Sequence, residues 1–260
     1  MFKHTILLAA VAGLVLAMAG TAQASLVGEL GILDLTANGG INPATSAPWA
    51  SGDTYRFIFT SSTRTTPHST DITTYNTFVQ DLADASPLNI GADEGVSWKC
   101  LGSTTAVDAR DNTSTNVNVD GTGESIWLLN GTSLVADDYA DLYGSSTHSS
   151  TIGISETGGA PAVGTLSGSP WTDVNHAWTG SYGDGTGYPD REMGDPTPFR
   201  VGAWDNTTGS NWLNIDKKHD GYAFPVYGLS EVLYITPEPA TLALLGLGGV
   251  ATLLTRKRRR

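Results

Sequence analysis

Two apolar runs at opposite ends of the 260-residue chain, Ile6 to Ala19 and Ala240 to Thr255, settle how much of it is free to build a fold. The first has no polar residue to face solvent, so it is not the amphipathic helix of a soluble core. Lys3 and His4 precede it, and the small residues Thr21-Ala22-Gln23-Ala24 follow it. A basic start, a short apolar stretch and small residues make residues 1–24 a secretory signal peptide, with Ala22 and Ala24 offered to signal peptidase and cleavage after Ala24. The second run spans roughly 24 Å at about 1.5 Å per residue, a marginal membrane span unless its flanking arginines snorkel. Its basic end, Arg256-Lys257-Arg258-Arg259-Arg260, is expected on the cytoplasmic side of the inner membrane, with the body already exported.

What remains between the runs is acidic. The chain carries a net charge of −12, and six of its fourteen basic residues sit at the two ends. That balance argues against nucleic acid as a partner. A hydrophobic content of 40% with 15% charged residues and 31 glycines excludes a coiled coil, a polar disordered chain and a polytopic membrane protein, and fits a loop-rich, β-leaning domain.

At the C-terminus the order is Pro237-Glu238-Pro239, then the apolar run 240–255, then the basic cluster 256–260. This three-part order, paired with a signal peptide, resembles the PEP-CTERM sorting signal of Gram-negative bacteria. The resemblance covers only about the last 24 residues. It implies recognition by an exosortase, a membrane cysteine protease that removes the tail. The body would pass from a transient inner-membrane anchor to the cell envelope, the surface or an exopolysaccharide matrix. The expected organisation is signal peptide 1–24, extracellular domain 25–236 and sorting signal 237–260, with 240–255 as a transmembrane helix.

Cys100 is the one cysteine, so no intramolecular disulfide can form and the fold must rest on its core. Alternation in Val96-Ser97-Trp98-Lys99-Cys100 puts Val96, Trp98 and Cys100 on one face, which reads as a buried, inert thiol. Leu26 to Leu35 reads as a first strand. Tyr55 to Phe59 alternates, with three aromatics on one face. Ile72, Tyr75, Phe78, Val79 and Leu82 recur at helical spacing inside 69–85, with Ser69 or Asp71 as cap and Pro87 after the end. Ser125 to Leu129, Asn130-Gly131 and Ser133 to Val135 read as a hairpin. From Gly144 to Pro170 the chain is Ser, Thr and Gly, which suits an exposed loop or weak edge ribbon. The closing strand is expected over Tyr227 to Ile235.

This order predicts an α+β domain with one main helix and antiparallel strands; a β-sandwich is the alternative. Trp98, the 126–135 hairpin, His176 to Gly180 with Asp184-Gly185, Asn211-Trp212-Leu213 and Tyr227 to Leu233 make the body similar to the C-type-lectin-like fold, in its endostatin-like branch. It departs from the family in lacking disulfides. Asp195-Pro196-Thr197 and Trp204-Asp205-Asn206 have the wrong letters and spacing for the family's calcium site, which is not carried over.

Asn116-Val117-Asn118-Val119-Asp120-Gly121 begins like a calcium loop but has Trp127 where the twelfth-position acid belongs, although Glu124 is near. Asn116, Asn118, Asp120 and Glu124 are therefore weak calcium candidates, and no other cofactor is indicated. Asp137, Asp138 and Asp141 read as a turn or helix start, and Asp108 and Asp111 as partners of Arg110. There is no Gly-x-Ser-x-Gly and no His-Glu-x-x-His. His68, His148, His176 and His219 are scattered in polar contexts, where a surface role is the default. Trp171, Trp178, Trp204 and Trp212, interleaved with Gly and Asp, are the candidates for stacking on sugar rings. The expected function is a non-catalytic, exported, polysaccharide-associated binding or structural module. A secreted hydrolase is the alternative. Ice binding, suggested by the irregular threonines of 60–74, ranks behind both.

Overall fold

The computed structural model describes residues 26–28, 30–144, 147–166, 172–173 and 175–237. Within them Gly28–Ile235 forms one compact unit. The strands in chain order are β1 (Leu26–Gly28), β2 (Ile41–Asn42), β3 (Ala47–Pro48), β4 (Thr54–Thr60), β5 (Trp98–Cys100), β6 (Ser125–Leu128) and β7 (Leu134–Ala136), followed by β8 (Gly164–Leu166), β9 (Thr172–Asp173), β10 (His176–Trp178), β11 (Phe199–Ala203), β12 (Asp216–Lys218), β13 (Tyr222–Ala223), β14 (Tyr227–Ser230) and β15 (Leu233–Pro237). The described residues also form one long α-helix, α1 (Ile72–Asp84), and shorter ones of a single turn, α2 (Ala109–Asn112), α3 (Val117–Asp120) and α4 (Tyr139–Leu142), besides short 3₁₀ turns. The mixed content agrees with the α+β expectation. A sandwich of two large sheets is not seen among the described residues.

The central sheet is organised around β4. On one side β14 and β15 run antiparallel to it in succession, with Leu229 opposite Ile58 and Leu233 opposite Tyr55. On the other side β6 runs parallel, with Phe57 opposite Trp127. β7 extends the sheet beyond β6, and β5 pairs with β14. Two small sheets, β10-β11-β12 and β13-β8-β9, lie outside it.

β4 alternates as its letters predict, yet both of its faces are buried. Tyr55, Phe57 and Phe59 occupy one face and Arg56, Ile58 and Thr60 the other, because successive strand residues point oppositely. On the first face Phe59 leans over Gly228 and meets Trp98 at 4.9 Å between ring centroids. Helix α1 packs on β5 and β14 through Ile72, Tyr75, Val79 and Ala83. Its start is fixed by Asp71, whose carboxylate accepts the Thr73 N–H at 2.9 Å. The same helix seals the edge of β5: Gln80 accepts the Trp98 N–H and Asn76 the Cys100 N–H, both at 2.8 Å. Val96, Trp98 and Cys100 are buried on this face, and burial pushes the Cys100 thiol far above its ordinary value.

The opposite face carries Ile58, Ile126, Leu128, Tyr227 and Leu229, covered by Leu101, Ala109, Leu142, Ile152, Trp212 and Leu213 from loops and single-turn helices. Here several expectations fail. The first strand ends at Gly28, and residues 30–35 are turn and irregular chain, where Asp34 N–H donates to the Gly131 carbonyl at 2.8 Å. The 125–136 hairpin forms with a longer loop than Asn-Gly alone requires, since the Asn130 side chain accepts from both Thr132 and Ser133 N–H. The closing segment is two strands, broken at Glu231 and Val232. The Ser/Thr/Gly segment after Gly144 is not an exposed loop: His148, Ile152, Ser155 and Glu156 are all buried. Ile152 and Ile154 lend carbonyls to Thr60, and Glu156 accepts from Ser62. Small polar side chains allow this, because they satisfy backbone groups locally and take little room.

Candidate functional site

The loop-covered side carries an open groove of about 520 Å³ whose walls come from three separate segments, at Tyr143, at Tyr182 to Asp184 and at Thr208 to Asn214. Each segment is shaped by its own sequence. In Ser181-Tyr182-Gly183-Asp184-Gly185-Thr186-Gly187-Tyr188 the Tyr182 N–H donates to Thr186 O at 2.8 Å and the Gly185 N–H to Tyr182 O at 3.1 Å. Asp184 Oδ1 accepts the N–H and hydroxyl of Thr186 at 3.0 and 2.6 Å, which fixes the turn. Gly183 is required by close approach: a Cβ there would lie 1.9 Å from that of Ser210, so the two walls touch. The second wall is a 3₁₀ turn, Gly209–Trp212, anchored by the buried Trp212.

The groove's apolar element is the Tyr182 ring, 39% exposed. Tyr182 stacks on Tyr188 with centroids 4.1 Å apart and planes 29° from parallel. The Arg200 guanidinium lies over the Tyr188 ring, 4.8 Å from its centre, and Arg200 Nε donates to Asn214 Oδ1. This Tyr-Tyr-Arg layer holds the outer ring in place through stacking and cation–π attraction, so little freedom remains to be lost on binding. Around it stand the Asp184 carboxylate and the Asn211 and Asn214 amides. At the far wall Tyr143 OH shares a hydrogen bond of 2.7 Å with Thr115 Oγ1, and burial pushes this phenol up to about 12, so it stays neutral. A flat apolar face ringed by a carboxylate, amides and hydroxyls matches the two surfaces of a sugar ring, C–H on the face and hydroxyls at the edge.

Two of the four tryptophans expected to do this do not. Trp178 and Trp212 are fully buried: Trp178 is wedged edge-on between Phe199 and Phe224 with its Nε1 donating to Thr65 O at 3.1 Å, and Trp212 sits 5.6 Å from Tyr227 in the core. A ring with no exposed face cannot stack on a ligand. Trp204 is half-buried against the same core. Trp171 lies outside the described residues. Tyr182 lies between Trp178 and Trp204 in the sequence but is not among the stacking candidates read there. Its signal is its setting, glycine, serine and aspartate on both sides, which cannot bury a ring inside a strand as His176-Ala177-Trp178 does.

The calcium candidates are used locally. Asn116 caps α3 by accepting the Asn118 N–H at 3.1 Å, Asp120 accepts the Asn116 N–H at 2.8 Å, and Glu124 accepts the Tyr139 hydroxyl. Among the described residues no three His, Cys, Asp or Glu side chains converge as metal ligands. Asp138 caps α4, and Asp108 stands 4.0 Å from Arg110. His68 and His219 are exposed, whereas His148 is not on the surface: it is 2% exposed, bonded at 2.9 Å to Leu142 O, and burial holds it below its ordinary value. The threonines of 60–74 are spread over β4, a loop and α1, with Thr60 buried, so they form no flat array.

Residues 236–260 match the PEP-CTERM protein-sorting motif. This motif supports an exported chain processed by an exosortase, with a cell-envelope or extracellular destination. No curated protein matches the chain. Pro237 ends β15. Ala22 and Ala24, Glu238 and Pro239, the apolar run 240–255 and the basic residues 256–260 lie outside the described residues. Among the described residues no helix is long and apolar enough to cross a membrane.

Proposed function

We propose that the exported body is a non-catalytic glycan-binding module of the envelope or extracellular polysaccharide matrix, and that the groove in front of Tyr182 is its binding site. The observation that carries this reading is the half-exposed Tyr182 ring held on Tyr188 and Arg200 beside Asp184, Asn211 and Asn214. Binding without turnover fits a lining whose one carboxylate is Asp184, since glycoside hydrolysis needs two. We carry the C-type-lectin-like fold as part of the proposal. Its support is one long helix beside a sheet closed by the last strands, with the groove in the loop-rich stretch between.

The test is retention of the full chain, solubilised in a detergent without a sugar headgroup, on immobilised polysaccharides. The proposal expects retention that is lost in Tyr182→Ala and kept in Tyr182→Trp. Equal retention of Tyr182→Ala and the parent chain would overturn it.

A secreted hydrolase has one observation in its favour. Burial and the neighbouring Asp195 carboxylate push Glu192 up to about 7, the range of a general acid, and Glu192 and Asp108 both border Gly187. Release of reducing sugar by the parent chain, abolished in Glu192→Gln, would select that reading over binding alone.

A further inference from the structure

A second cavity, about 610 Å³, opens where β14 breaks into β15, far along the chain from the Tyr182 turn and lined by different residues. Arg56 of β4 reaches it from the middle of the sheet. Arg56 is 3% exposed, yet among the described residues no carboxylate forms an ion pair with it. Its guanidinium is held by neutral acceptors instead: Nε donates to Ser230 O at 2.7 Å, Nη1 to Tyr139 OH at 3.0 Å and Ser114 O at 3.3 Å, and Nη2 to Thr113 O at 2.9 Å. Ser114 adopts a left-handed backbone at φ 53° in the segment that turns these two successive carbonyls onto the guanidinium. The acid nearest in the network, Glu124, is reached only through the Tyr139 hydroxyl.

A buried cation with dipoles around it and no counter-charge is costly to maintain, and an arginine has five N–H donors, of which these bonds use four. The remaining Nη2 hydrogen and the Lys99 ammonium both belong to side chains of the cavity lining. Lys99 stands opposite Leu229, which in turn stands opposite Ile58, two residues from Arg56, so the two cations share one face of the sheet. The lining acid, Glu231, is already engaged by the Ser97 N–H at 2.9 Å. Tyr234, 52% exposed, stands at the rim, and Ser97 and Ser114 line the walls; the Thr113 hydroxyl is turned inward, donating to Ala109 O at 2.8 Å.

We infer that this cavity binds the carboxylate of an acidic sugar unit, a uronate, with the carboxylate between Lys99 and Arg56 and the sugar ring against Tyr234. The inference is independent of the Tyr182 groove. On a body of negative net charge, a recessed cationic cavity admits an acidic glycan that the rest of the surface repels.

The experiment is calorimetric titration of the full chain with glucuronate, glucose and acetate at low ionic strength. Glucuronate is expected to bind, with affinity falling as salt rises, while glucose and acetate bind at least about tenfold more weakly. Lys99→Gln, an exposed change that leaves the Arg56 contacts alone, is expected to lower glucuronate affinity about tenfold with an unchanged unfolding temperature, whereas the charge-matched control Lys217→Gln leaves it unchanged. Glucuronate binding no tighter than glucose, or unaffected by Lys99→Gln, overturns the inference. Acetate binding as tightly as glucuronate overturns its sugar component.

Discussion

On one face of the central sheet a single helix, α1, lies over β5 and β14 and closes the β5 edge with Asn76 and Gln80; on the other, segments from Leu101 to Leu213 arrive from separate places in the chain and bury Ile58, Ile126 and Leu229 between them. The helix-covered face presents neither of the two cavities' defining groups. The loop-covered side has both, the Tyr182 groove and the Arg56 cavity. A helix covers a sheet with one regular apolar stripe and leaves no recess. Loops cover it piecemeal, and the seams between pieces are where polar side chains can line a concave surface.

The contrast breaks most severely at Trp212. Its indole is the core under the groove, so Trp212→Ala is expected to cost about 3–5 kcal/mol in urea unfolding and to abolish groove binding. Phe59→Ala, on the helix face, is expected to cost a similar about 3–5 kcal/mol while the variant molecules that remain folded still bind. Gly228→Val probes the helix face more gently. A Cβ there would come within 2.6 Å of the Phe59 ring, and the expected cost is about 1–3 kcal/mol with no change in ligand affinity. Asn76→Ala strips the partner from the Cys100 N–H and is expected to cost about 1–2 kcal/mol, measured the same way.

The sharpest pieces of the sequence lie on the helix-covered face. Ile72, Tyr75 and Val79 at helical spacing, the Asp71 cap and the alternation of Val96, Trp98 and Cys100 each report a local geometry that packing did not alter. The loop-covered side was legible only at the 125–136 hairpin, because its burial depends on partners far apart in the chain. Glu156 is buried by Ser62 and Ser86, His148 by Leu142 and Trp212, and Arg56 by Thr113, Ser114, Tyr139 and Ser230. No window of sequence contains such a set. Trp178 and Trp212 mislead for the same reason: their large apolar area draws them into the core, while Tyr182 in a Gly/Asp turn stays partly at the surface.

The smallest effect expected is a pH dependence from His148 and Glu192. His148 sits below its ordinary value of 6.5, so the unfolded chain takes up its proton first and stability should fall as pH drops below about 6.5. Glu192 is raised from 4.5 to about 7 and acts oppositely, its contribution present below 4.5 and lost as pH rises through about 7. Unfolding temperatures of His148→Gln across pH 5 to 8 should isolate the Glu192 trend, a decline with rising pH.

The central claim is that recognition belongs to the loop-covered side and centres on Tyr182. Hydrogen exchange of the chain with and without a retained polysaccharide tests it directly. The account predicts added protection in residues 180–188 and 208–214 and none in 72–84. Protection concentrated in 72–84 and 98–100, with the Tyr182 turn unchanged in the bound state, would contradict it.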